Sequence, residues 1–456
     1  MKYLAAFIST VFIFHLTVTV QAQHQGVTVF HNMNVLTMHA DEINRSYTVI
    51  VENGYITWVG PAAEAEFPEG ATVIEGDVYL MPGLAEMHAH IPPQNQGEQR
   101  MKDTLVLYLS QGITTIRGML GQPAHLELRE QAAKGEILSP RIFTSGPSFN
   151  ANSIQSEDQA RQMVRDQVDA GYDLLKFHPG IQPQYFDAIT QEANEFGIEF
   201  SGHISHRVGL LRSLSAGKGS IDHLDRYLEF LSGDPDDRED PPIIYFGYDL
   251  TFDADESRIP EAARLTRDAG VWNVPTNTLL ENIFNPDNDT DTMRNWPGME
   301  FMPDATLDGW TNFVNNLRSN EIYNEEQARE FLRLRLEITR ILHDEGAGLM
   351  LGADAPQIFN PPGFSIYREL ELKTRAGLSN FEALKTGTVN VGHYLGETDK
   401  TGKIDVGYRA DLVLFRVNPL DEIMLSNEIE GVMSYGRLVD RRELDELLEG
   451  VKSRRN

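Results

Sequence analysis

The sequence predicts an α/β protein: a TIM-type (β/α)8 barrel carrying a small β-sandwich built from both ends of the chain. Three observations point there. A helical stretch that closes on glycine and runs into a short apolar strand recurs through the middle. Both chain ends read as β instead. The 456 residues exceed one minimal domain and suit a large barrel with an accessory domain.

The N-terminus opens with Lys2 and an apolar run from Leu4 to Val20, followed by Val20-Gln21-Ala22. This is the pattern of a secretory signal peptide over residues 1–22, cut after Ala22. Ser9, Thr10, His15, Thr17 and Thr19 interrupt the run, which makes it a poor membrane anchor.

Residues 23–80 read as short strands, with Thr48-Val49-Ile50-Val51 and Tyr55-Ile56-Thr57-Trp58-Val59 flanking a hairpin signal at Asn53-Gly54. Residues 401–456 read alike, for example Asp411-Leu412-Val413-Leu414-Phe415, and end in an amphipathic helix over Glu443 to Lys452. Between them, residues 81–400 hold eight strands, at 84–90, 113–117, 141–146, 172–176, 197–203, 217–223, 270–275 and 346–354. Alternating strands and helices imply right-handed βαβ units and a parallel sheet, and eight such units close into a barrel. Leu279 to Asn324 is too long for a simple connection and reads as an insertion over the barrel mouth, with a helix near Leu307 to Leu317. The acidic run Asp234 to Asp240 reads as a solvated loop.

Zero cysteines exclude disulfide frameworks, thiol nucleophiles, iron–sulfur clusters and Cys-ligated zinc. A formal charge of −29 excludes a phosphate-backbone reader, so no nucleic-acid partner is expected. The expected partner is a small molecule or short peptide, with no stable membrane anchor; a homo-oligomer is compatible with the sequence.

The strand ends carry the chemistry. The first ends His88-Ala89-His90, the fourth at Lys176, the fifth at His203, the sixth at His223 and the eighth at Asp354. In such barrels the strand C-termini converge on one face, and residues i and i+2 project together. Imidazoles and a carboxylate at one focus make a metal site. A lone histidine or lysine is more often structural; five strands ending in metal-competent residues are not readily coincidental. Lysine has no lone pair when protonated. Carbamylation of Lys176 by carbon dioxide would turn it into a bridging carboxylate. Two divalent ions, with zinc the expected metal, would then sit on His88, His90, Lys176 and Asp354, and on Lys176, His203 and His223. They would share a hydroxide with pKa lowered toward ~7, and Asp354 would act as the catalytic proton carrier.

With these residues in place, the sequence resembles the amidohydrolase superfamily. Met81-Pro82-Gly83-Leu84-Ala85-Glu86-Met87-His88-Ala89-His90 is similar to its first-strand signature, and Gly352-Ala353-Asp354-Ala355 to its last. Gly54 to Gly60 and Gly402 to Leu414 resemble the flanking sandwich segments. The resemblance implies hydrolysis of amide, lactam or ester bonds, nearest to exported binuclear enzymes related to imidazolonepropionase and Xaa-Pro dipeptidases. Lys176 sets the chain apart from the mononuclear deaminases. Glu86 stands where relatives often have Asp, and Gly118 where they often have an acid.

The substrate side is more open. His178, two residues past Lys176, is a candidate for orienting substrate or polarising its carbonyl, or for a structural role. Tyr227 is a candidate for substrate binding, or a packing aromatic. Arg117, Arg207 and Arg226 are candidates for holding a substrate carboxylate. The favoured activity is an Xaa-Pro-type dipeptidase; a cyclic amide or ester hydrolase competes with it, and a catalytically silent periplasmic binding protein is the alternative of another class.

Overall fold

The computed structural model describes residues 26–233 and 246–456. The expected leader, residues 1–22, and the acidic run Asp234–Asp240 lie outside the described residues. Among the described residues no helix is long and apolar enough to cross a membrane.

The two chain ends share one sheet. Its strands are β1 (Thr28–Val35), β2 (Asn44–Glu52), β3 (Tyr55–Pro61), β4 (Thr72–Glu75) and β5 (Tyr79–Pro82), with β13 (Leu412–Phe415), β14 (Ile429–Ser434) and β15 (Arg437–Asp440) from the far end. The seam is β5 against β13, antiparallel, with Leu80 opposite Leu414. On one edge β1 takes β2; on the other its first half takes β4 and its second half β5. Asn53 and Gly54 both have positive φ, 52° and 80°, as a two-residue hairpin turn between β2 and β3 requires. Phe30, Val49, Ile56 and Leu80 from one end pack with Leu412 and Met433 from the other. The terminal helix runs Arg441–Ser453.

The middle of the chain is α/β with parallel sheets. One holds β6 (Leu84–Ala89), β7 (Ile113–Gly118) and β8 (Arg141–Thr144); the other holds β9 (Leu174–Phe177), β10 (Glu199–Gly202), β11 (Ser220–Asp222) and β12 (Trp272–Val274). Helices Glu157–Ala170 and Pro183–Phe196 end on Gly171 and Gly197, whose φ values of 81° and 68° turn the chain back toward the next strand. A parallel bridge, Ser145 to Leu174, joins the two sheets.

The expected eighth strand is not a strand. Residues 349–355 form an extended segment between β12 and β6, tied by the bridges Asn273–Leu349 and Ala89–Ala355. Two local causes are visible. Asp354 has φ +62°, outside the β region, and the Ala353 N–H donates to the Glu86 carboxylate instead of a ladder.

The helix expected near Leu307 runs Asp304–Arg318. Its Leu307, Trp310 and Val314 pack with Leu107 of the helix Glu98–Ser110, Phe359 and Val451 of the terminal helix.

Candidate metal centre

Four histidines, a lysine and an aspartate meet where β6, β9, β10, β11 and the segment 349–355 end. The His88 and His90 nitrogens and an Asp354 oxygen all lie within 4.8 Å of one another. Asp354 Oδ1 is 2.7 Å from His90 Nε2 and 3.6 Å from His88 Nε2. Its Oδ2 is 3.9 Å from His223 Nδ1. Burial alone would raise the Asp354 carboxyl; His88 and His90 outweigh that and hold it well below the usual range.

Lys176 lies in β9, fully buried, with Nζ 3.3 Å from His88 Nε2. Burial lowers its ammonium from the ordinary lysine range, although Asp222 and Asp354 oppose the shift. Gly202 makes room for its stem: a Cβ there would stand 2.7 Å from Lys176 Cδ. Burial, then the charge of Lys176, push the His88 ring down to about 4, so it is neutral and able to ligate near pH 7.

His203 and His223 stand beside this trio. Their rings stack with centroids 4.5 Å apart, and His223 is 4.6 Å from the His88 ring. Each is held from behind. His203 Nδ1 contacts Asp225 Oδ2 at 3.0 Å, and His223 Nδ1 contacts Thr276 Oγ1 at 2.8 Å. His88 Nδ1 lies 2.9 Å from Asp222 Oδ2, off hydrogen-bond alignment. In His203 and His223, where Nδ1 has a side-chain partner, Nε2 is the nitrogen left to ligate. The donor set is imidazole, carboxylate and a buried amine, which suits a zinc-type divalent cation.

Several supporting residues were not foreseen. Asp222 is fully buried and takes Arg117 Nη2 at 3.3 Å as well as His88. Glu86 Oε1 accepts from the backbone N–H groups of His88 (3.2 Å) and Ala353 (2.8 Å), and so ties two ligand-bearing segments together. The only sequence signal was the pair of acids flanking His223, Asp222 and Asp225.

The substrate candidates divide. His178 faces the cluster, its ring 5.2 Å from that of His203. Tyr227 does not: it is 1% exposed, and its hydroxyl meets Thr266 Oγ1 at 2.8 Å and Asn273 Oδ1 at 3.0 Å, inside the core. This corrects the expectation of substrate binding. His223, Leu224 and Arg226 all have positive φ, so the chain turns sharply and the helix Tyr227–Ser232 directs its first side chain inward. Arg117 is spent on Met87 O, Ser220, Tyr394 and Asp222, and Arg226 on Ile204 O and Glu229. Arg207 is half-buried, with Nη1 3.3 Å from Gln182 Oε1.

Residues 79–439 match the family model of the amidohydrolase family. Over 116 residues the chain is 35% identical to an imidazolonepropionase of Kosmotoga olearia, a stretch covering 24% of this chain and 28% of that one. It is 19% identical to an ochratoxinase of Aspergillus niger, over 85% of this chain and 81% of the relative. A solved Xaa-Pro dipeptidase with methionine in its active site superposes with a TM-score of 0.67 at 18% identity, over 91% of this chain and 100% of that one.

Proposed function

The chain belongs to the amidohydrolase family and is a hydrolase of amide C–N bonds; from that premise we propose an exported dipeptidase of the Xaa-Pro type, with two zinc ions on His88, His90, Asp354, His203, His223 and a carbamylated Lys176. The observation that carries it is the gathering of these imidazoles around a buried Lys176, with Nδ1 of His203 and His223 held by Asp225 and Thr276 and that of His88 2.9 Å from Asp222. In this reading the seven parallel strands and residues 349–355 form one closed (β/α)8 ring with the centre at its mouth.

The lowered Lys176 ammonium favours the neutral amine, the form that attacks carbon dioxide: an N–C bond forms, a proton leaves, and the charge becomes negative. Divalent ions bound there supply Lewis-acid polarisation of a carbonyl and lower the pKa of water toward about 7. Asp354 accepts the proton of the attacking water at its carboxylate and returns it to the leaving nitrogen. Phe246 lies on that side, its ring 5.3 Å from that of His223. His178 borders the space and orients the substrate carbonyl.

Support for the dipeptidase comes from the whole-length likeness to the Xaa-Pro dipeptidase structure. The second reading, a cyclic amide hydrolase, rests on the partial match to imidazolonepropionase. The test is a screen of the metal-loaded enzyme against Xaa-Pro and other dipeptides, N-acyl amino acids, lactams and lactones. Turnover fastest on Xaa-Pro supports the proposal; lactam or lactone hydrolysis without dipeptide cleavage overturns it. Metal analysis should return about two ions per chain, and the mature exported protein should begin at Gln23.

A further inference from the structure

Outside the metal centre, the half-buried Arg368 lacks the partners that the core arginines have. Arg117 and Arg335 are each about 1% exposed, and each guanidinium is hydrogen-bonded: Arg117 to Asp222, Arg335 to the carbonyls of His223 and Pro275. Arg368, in the helix Ser365–Ala376, makes no hydrogen bond or ion pair among the described residues, and its Nη1 is enclosed without a partner. Burial pushes it down to about 10, against the opposing charges of Glu281 and Glu371. The contact it does make is with a ring: its guanidinium carbon sits 3.6 Å from the Trp296 centroid. An unpaired guanidinium with one nitrogen shut off from solvent is costly unless a counter-group meets its charge.

Arg368 borders a cleft of about 350 Å³, shared with Trp296, Pro297, Leu372 and Met424. An adjoining recess adds Phe359 and Phe364 to the same wall. That is room for a small ligand, with Trp296, Pro297, Leu372 and Met424 as an apolar wall facing the polar groups of Asn288, Arg368 and their charged neighbours. None of the metal-centre residues lines it.

We propose that this cleft binds a small organic monocarboxylate with an apolar or aromatic body: the carboxylate pairs with Arg368 and the body lies against Trp296, Pro297 and Met424. The charge around the cleft selects a monoanion. Glu281 and Glu371 also line it, and Arg375, 3.4 Å from Glu281 Oε1, is already engaged there. A dianion such as phosphate would meet those carboxylates at close range.

The experiment titrates phenylacetate into the holoenzyme by calorimetry, with inorganic phosphate as the control anion. Saturable one-to-one binding of phenylacetate, none of phosphate, and a tenfold or greater loss of affinity in Arg368→Met are expected. Trp296→Leu, which keeps the guanidinium, should weaken binding as well. Phenylacetate should raise the melting temperature of the wild type and not of Arg368→Met, and the unliganded variant should melt no lower than the wild type because it has shed the enclosed, unpaired Nη1. Three results overturn the proposal. These are the absence of saturable binding at millimolar phenylacetate, equal affinity in Arg368→Met (placing the ligand elsewhere, such as the metal centre), and a melting point of unliganded Arg368→Met several degrees below the wild type (making Arg368 structural).

Discussion

The two halves of the metal centre are held by different means. On the side of β6, His88 and His90 face a shared carboxylate, with Asp354 Oδ1 2.7 Å from His90 and 3.6 Å from His88. On the side of β10 and β11, His203 and His223 face each other as a ring stack and are fixed from behind by Asp225 and Thr276. The first half is gathered on one carboxylate. The second is oriented by its backing and, among the described residues, has no carboxylate in front of it but Asp354, 3.9 Å from His223. Lys176, between them and beside His88, is therefore the group whose chemistry decides whether the second half acquires an anionic ligand.

That contrast can be broken in three steps of falling size. Asp354→Asn removes the carboxylate of the first half and the proton carrier at once; turnover should fall by about 10³-fold, with metal content lowered, as read by steady-state rates and metal analysis. Asp222→Asn and Asp225→Asn act one behind each half. Each should weaken metal binding about 10- to 100-fold, and competition with a chelator should show Asp225→Asn loosening one ion while the other stays. Loss of both ions together in Asp225→Asn would mean that the halves are not separable. Smallest is Tyr227→Phe, which removes a hydroxyl from Thr266 and Asn273 and leaves the centre alone. Stability in denaturant should drop by about 1 kcal/mol, with kcat and KM unchanged; a large fall in kcat would return Tyr227 to the substrate.

Much of this was legible in the sequence because the signals were local. Gly171 and Gly197 close helices as their positions suggest, and Asn53-Gly54 turns the hairpin. His88, His90 and Asp354 could be picked out because each falls where an apolar run stops. What failed to show was long-range or conformational. Glu86 reads as a buried polar oddity until the chain brings Ala353, 267 residues away, to its carboxylate. Arg117 reads as a substrate clamp until Asp222, 105 residues on, claims it. Tyr227 was misplaced because His223, Leu224 and Arg226 adopt positive φ without glycine, a choice imposed by tertiary packing and invisible to propensity.

The seam between the two ends of the chain sets the order in which the molecule can be completed. β5 runs through Gly83 directly into β6, and the partner on its free edge is β13, more than three hundred residues later. During synthesis the N-terminal strands and the first histidines emerge long before Leu412–Phe415 does, so the edge of β5 stays open until almost the whole chain exists. Closing so distant a contact is an entropically late event. A chain that stops before residue 412 would leave a row of unpaired backbone groups along β5, the strand that leads into β6 and its histidines, and the last strands to be made are thus the ones that seal the platform from which the first ligands extend.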